Sequence, residues 1–261
     1  MSGAANLKLA AVILGLSLAA LAQPPTLIRV IRNPSPPGLS PACIQPYADA
    51  KTAVMVLAMT SVSGVSETWL AEAHDSFESI EYVDKALAGF APSRNAAYPT
   101  ADDVLPPSRT LIALYRPGLS YRPDEAVKNL PKARYLLISI YRIRPGSDAG
   151  FAELVRLRRA RFDSINLDRP EIGYQVMSGA PSGTYLFFAP LNSLKTMDEA
   201  MARTPPYAEG VRETVATAGQ KIAAESEIGH EFLLFRIEPR FSYVSEEFAA
   251  VDPDFWSPKQ H

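Results

Sequence analysis

Read by its apolar positions, the chain is a series of short hydrophobic runs set between polar stretches that carry proline and glycine. Residues 53–59 (AVMVLAM), 110–115 (TLIALY), 134–141 (RYLLISIY), 184–189 (TYLFFA) and 232–235 (FLLF) are too short for helices and rich in β-branched and aromatic residues, so they read as strands. A sheet with one wet face alternates apolar and polar side chains. These runs are apolar at successive positions, so both faces of each strand need cover.

Between the strands the spacing lengthens to that of helices. A turn at Pro145-Gly146-Ser147-Asp148 leads into a helix over 149–165, with Ser147 or Asp148 as its cap. Residues 173–177 and 184–189 form a hairpin about a Gly/Pro/Ser turn. Asn192 caps a helix carrying Leu194, Met197 and Met201. Pro205-Pro206 ends that helix and opens another reaching Glu227, and 231–237 is the last strand. From residue 133 the order is β-α-β-β-α-β. Upstream the same order appears with losses: strands at 26–31, 51–60, 67–73 and 110–115, a helix over 75–87, and a loop over 91–108. A proline-rich stretch at 33–41 and a short helix near Tyr47 replace the first long helix.

Self-similarity supports a duplication. LIALYRPGLSYRPDEA from Leu111 aligns with LLFRIEPRFSYVSEEF from Leu233. Both follow a strand with Pro-x-(Leu/Phe)-Ser-Tyr and an acidic pair, Asp124-Glu125 and Glu246-Glu247. Further upstream SETWLAEA (66–73) matches SGTYLFFA (182–189). The separation is 116–117 residues at this second match and 122 at the Ser-Tyr motif. The expected organisation is a leader over 1–22, a first unit over 23–121, a linker over 122–132, a second unit over 133–243 and a tail over 244–261.

The repeated order is the ferredoxin-like plan, so the fold class is α+β. If the two antiparallel sheets cover each other's apolar faces, they form a pseudo-dimeric α/β barrel with helices outside. With its doubly apolar strands and internal duplication, the chain resembles the dimeric α/β barrel superfamily, which includes antibiotic-biosynthesis-monooxygenase-like and NIPSNAP-like proteins. The resemblance places both halves of the usual dimer in one chain and implies a monomer or weak homo-oligomer. The superfamily holds oxygenases, haem-handling enzymes and proteins without known activity, so fold alone leaves function open.

Composition changes this picture little. Of 261 residues, 47% are hydrophobic and 21% charged, ordinary for a globular chain. A net charge of −2 gives no electrostatic footprint for nucleic acid. The N-terminus adds more: Lys8 precedes the apolar run LAAVILGLSLAALA at 9–22, which ends in the small-x-small triplet Ala20-Leu21-Ala22. That is the form of a cleaved export signal, too short for a comfortable membrane span, and predicts a secreted or periplasmic protein without stable membrane insertion, the alternative being an uncleaved membrane anchor. Cys43 is alone and has no neighbouring histidine to activate it.

Candidate chemistry is sparse. The histidines are His74, His230 and His261, with no spacing that suits a metal. His74, at a strand end before Asp75, is the one best placed to be reactive, or to serve as the axial ligand that haem would require if the superfamily resemblance extended so far. Tyr121 and Tyr243 of the Ser-Tyr pairs are acid or ligand-donor candidates, though their repetition after a strand suits structural corners. Arg156, Arg158, Arg159 and Arg161 could form a face for an anionic ligand, but with a negative net charge they read as the solvated side of a helix, with Arg159 and Asp163 paired. Trp69, His74, Tyr141, Tyr185 and Phe187 are the candidates to line a site for a small apolar or aromatic ligand. Three functions remain: a secreted binder of such a ligand, an oxygenase that is cofactor-independent or haem-assisted, and a structural or interaction module.

Overall fold

The computed structural model describes residues 23–34, 44–90, 108–203 and 213–257. The leader over 1–22, Cys43, most of the 91–108 loop and His261 lie outside the described residues. Among those described are the strands β1 (Leu27–Pro34), β2 (Val56–Ser61), β3 (Glu67–His74), β4 (Arg109–Tyr115), β5 (Tyr135–Ile143), β6 (Ile172–Ser178), β7 (Thr184–Leu191) and β8 (Glu227–Ile237). The helices are α1 (Gln45–Asp49), α2 (Phe77–Leu87), α3 (Pro123–Asn129), α4 (Asp148–Ser164), α5 (Lys195–Arg203), α6 (Glu213–Ser226), α7 (Glu246–Ala249) and α8 (Pro253–Trp256).

The strands close into one antiparallel barrel in the order β1-β3-β2-β8-β5-β7-β6-β4. The first half contributes β4-β1-β3-β2 and the second β8-β5-β7-β6, the same ferredoxin-like order twice. The sheets do more than face each other: β2 pairs with β8 and β4 with β6, so both edges of each sheet are taken up by the other. Registers repeat as well. Leu27 faces His74 as Tyr135 faces Leu191, and Met59 faces Trp69 as Tyr174 faces Leu186.

The inward face explains why the strands are doubly apolar. Val30, Met59, Trp69 and Ala113 of the first half meet Ile138, Tyr174, Leu186 and Phe235 of the second inside the barrel. Sizes are complementary: Trp69 and Ala113 sit where the other half has Leu186 and Phe235, and the Trp69 and Phe235 rings lie 4.8 Å apart. Each large side chain buried here contributes about 1.5–3 kcal/mol. The outward face is covered by helices, α2 over the first half through Ile80, Val83 and Leu87 and α4 over the second through Phe151 and Val155.

Two stretches fold further than their sequence suggests. The expected linker contains α3, begun by Pro123 with Asp124 and Glu125 in its first turn. The expected tail contains α7, whose Ser245 cap accepts from the Phe248 amide, and α8. Ala126 and Val127 of α3, Phe248 of α7 and Trp256 of α8 all join the barrel core, and the Trp256 indole donates to the Pro131 carbonyl at 2.7 Å. The first hairpin strand is also shorter than the expected 51–60, because Lys51 has a positive φ and turns the chain before β2.

Candidate functional site

On the outward face of the first half, polar side chains are buried and paired with one another. Arg29 on β1 and Glu72 on β3 are cross-strand partners, joined at 2.5 Å between Nε and Oε2. Glu72 is 0% exposed and also accepts from the Tyr47 hydroxyl of α1. Arg29 reaches Asp84 of α2 at 2.6 Å. His74 is 2% exposed, with Nδ1 3.0 Å from the Ser79 hydroxyl and Nε2 3.0 Å from Glu72. Burial pushes the Glu72 carboxyl up, but His74, Arg29 and Tyr47 outweigh it and hold the group below the usual carboxylate range. This cluster fills the outer face and ties α1 and α2 to the sheet.

The second half fills those positions with Leu137, Ala189 and Leu191 and keeps its polar groups elsewhere on the same face. Phe151, Val155, Arg158 and Phe162 recur at intervals of four, three and four along α4, so Arg158 lies on the stripe that packs against the sheet. Its Nη1 donates to the Tyr141 hydroxyl at 2.8 Å and its Nη2 to Glu171 Oε1. The guanidinium lies 4.5 Å from the Phe187 ring and 5.4 Å from that of Tyr141. Glu171, 2% exposed, precedes β6 and is fixed by a two-way backbone bridge to Tyr121. Burial pushes its carboxyl above the usual range, against the pull of Arg158 and Arg169. Arg169 lies 4.6 Å over the Phe162 ring, and burial lowers its pKa. At the other end of this band Tyr141 faces His230, and the exposed Phe232 packs edge-on to both rings.

The candidates from the sequence fall into different places. Tyr141 and Phe187 lie in the band, and Tyr185 packs beside them on Phe151 while donating to Asp148 at 2.7 Å. Trp69 is on the opposite, inward face, and His74 belongs to the first-half cluster. Tyr121 donates to Asp163 and bridges Glu171, whereas Tyr243 bridges Val56 and donates to the Thr52 carbonyl at 3.1 Å. Glu171 and Arg169 carry no signal in the sequence that marks them as a site. The one signal for Arg158 is its place on the apolar stripe of α4, and the expectation of a solvated arginine face is corrected there. Arg159 and Asp163 do not pair with each other: Arg159 donates to the Gly118 carbonyl at 3.0 Å.

Haem does not fit at His74. An axial ligand needs a free imidazole nitrogen, and both of its nitrogens are engaged within the buried cluster. Among the described residues, no group of three His, Cys, Asp or Glu side chains is placed to hold a metal ion, and no helix is long and apolar enough to cross a membrane.

No family model matches the chain, and no curated protein matches it. Solved structures do match in shape. A protein of Fusobacterium nucleatum subsp. nucleatum ATCC 25586, described as a "putative monooxygenase", aligns over 82% of this chain and 93% of its own, with TM-score 0.51 and 10% identity. A "putative monooxygenase" of Lactobacillus acidophilus NCFM aligns over 85% and 100%, with TM-score 0.50 and 6% identity. An anthrone oxidase-like protein aligns over 82% and 92%, with TM-score 0.50 and 8% identity. At these identities the likeness is one of fold, and it agrees with the strand order and repeated registers: the chain has the fold of the dimeric α/β barrel superfamily, with both halves of the barrel in one polypeptide.

Proposed function

We propose that the outward face of the second half binds a small aromatic molecule, against the exposed ring of Phe232 and the neighbouring rings of His230 and Tyr141, with the Arg158–Glu171 pair behind them. The observation that carries this reading is the mixed character of the band. The exposed Phe232 ring lies edge-on to His230 and Tyr141, beside a buried carboxyl and guanidinium, the mix of aromatic and few polar groups that small-ligand sites use. The test is calorimetric titration of the full chain with 2-naphthol. Wild type binds, and Phe232→Ala, which removes an exposed ring, weakens binding several-fold. Failure of 2-naphthol and of other small aromatics to bind would refute the reading.

A second reading, an oxygenase working without a cofactor, is favoured by the raised pKa of Glu171. A carboxylate so placed is a stronger base than usual, and the Arg158 cation paired with it would favour negative charge nearby. Glu171 would take the proton of an acidic C–H bond. The carbanion would form a C–O bond to dioxygen, and the peroxide anion would recover the proton from Glu171, giving R–H + O₂ → R–OOH. Oxygen uptake with an anthrone as probe tests this, and Glu171→Gln abolishes it.

The apolar leader supports export, which N-terminal sequencing of protein recovered from an exporting host would check. Closure of the barrel within one chain supports a monomer, because both sheets already have their partners.

A further inference from the structure

Closure of the barrel takes up only part of one strand edge. β8 pairs with β5 from Glu227 to Arg236, but with β2 only from Phe235 to Ile237. Past Ser61 the chain turns away into the β2–β3 hairpin, and the Val62 and Ser63 amides donate to the Leu234 carbonyl as it leaves. Successive residues of a strand aim their backbone groups to opposite sides. Leu234 accepts on the β2 side, and Glu238 donates there to the Ala58 carbonyl. His230 and Phe232 share their phase, so their amides and carbonyls point where β2 would have continued. Among the described residues no strand occupies that place. Residues 228–232 are all exposed, Ile228 and Phe232 among them. An edge with open backbone groups and exposed apolar side chains is a template for a further strand.

We infer that this edge takes up an extended segment of another protein as an added antiparallel strand, and that the segment alternates basic and apolar residues. The inference goes beyond the aromatic-binding reading and does not depend on it. Three observations select the partner. The same edge already accepts an antiparallel strand three residues further on, so the added strand continues the track of β2. On the outward face, the His230 and Phe232 rings pack on each other and favour apolar side chains opposite them. On the other face Glu231 is exposed and has no ion pair among the described residues, which favours Lys or Arg opposite it. That charge also rejects a second copy of this chain, whose own Glu227 and Glu231 would come against those of the first.

The probe is acetyl-Lys-Val-Lys-Val-Lys-amide, titrated calorimetrically into the full chain. It binds, and at saturation hydrogen exchange slows at the His230 and Phe232 amides, a readout that binding of an aromatic molecule with no backbone would not give. Methylating the two valine nitrogens, which face β8, abolishes binding, whereas methylating the central lysine nitrogen, which faces away, leaves it intact. Glutamate in place of the lysines weakens binding about fivefold, and Glu231→Gln narrows that difference. No binding, or equal loss from both methylated peptides, would overturn strand addition. A charge preference unchanged in Glu231→Gln would overturn the choice of a basic partner. A dimer of the free chain that light scattering detects and the peptide dissociates would give the edge to a second copy and overturn the inference.

Discussion

Ser120, in the first half, accepts a hydrogen bond from the amide of Gly173, in the second, at 2.9 Å. Its counterpart Ser242 accepts from the amide of Ala58 at 3.0 Å, so each half sends one serine into the other's hairpin strand. Both hydroxyls also donate to the carbonyl four residues upstream, Arg116 and Glu238. Ser120→Ala or Ser242→Ala leaves an amide at the seam without its acceptor and should cost about 1–3 kcal/mol. The two losses should add in the double variant, since the sites lie on opposite seams of the barrel. Urea denaturation measures both, and a double variant as stable as wild type would deny the serines this role.

The seams also predict how half of the molecule behaves. Residues 133–261 alone would expose the inward faces of β5, β6, β7 and β8, including Ile138, Tyr174, Leu186 and Phe235. An apolar surface of that extent is not tolerated in solution. Light scattering should find this half as a dimer that rebuilds a barrel, or as aggregate, and not as a folded monomer.

Glu72 and Glu171 should shape acid stability in opposite directions. The Glu72 carboxyl is held below its ordinary pKa, so its contribution is present above that ordinary value and is lost as pH falls through the depressed one. The Glu171 carboxyl is raised, so its charged form penalises the fold, and that penalty is relieved as pH falls through the raised value. Glu72→Gln should therefore flatten the acid limb of a plot of stability against pH. Glu171→Gln should flatten the part of the profile above the ordinary carboxylate value. Denaturation midpoints across the range would show both, and identical profiles for the two variants would contradict the assignment.

His74→Ala should destabilise the protein by about 1–3 kcal/mol, because Glu72 and Ser79 each lose a buried partner. Hemin added to wild type and to this variant should give the same Soret band. A shifted band present in wild type and lost in the variant would show that His74 can leave its cluster to bind iron.

The architecture was legible because two kinds of signal agreed. Doubly apolar strands demanded cover on both faces, and the Ser-Tyr repeat marked the duplication whose seams the serines join. The site was less legible. Arg158 sits within a run of arginines of which Arg156 is exposed and paired with Glu153, and only the phase of Phe151, Val155 and Phe162 separates the two. Glu171 follows a proline in what reads as a loop, and its burial depends on Tyr121, fifty residues earlier in the chain. His74 drew attention by its rarity, but its surroundings come from Arg29, Tyr47 and Ser79, which no local pattern connects to it. Trp69 has the same aromatic character as Tyr141, and only strand phase sends the two to opposite faces.

Fusing the two sheets into one chain frees each half from mirroring the other. In a barrel of two identical subunits, any residue that improves one outer face must appear on both. Here Val56 stands where the other half has Glu171, and Leu137 and Ala189 stand where the first has Arg29 and Glu72. One half has become an electrostatic brace of Arg29, Glu72 and His74, while the other half is apolar at those positions. A ligand of the proposed second-half site would thus bind once per barrel, where a symmetric assembly of the same shape would offer two sites.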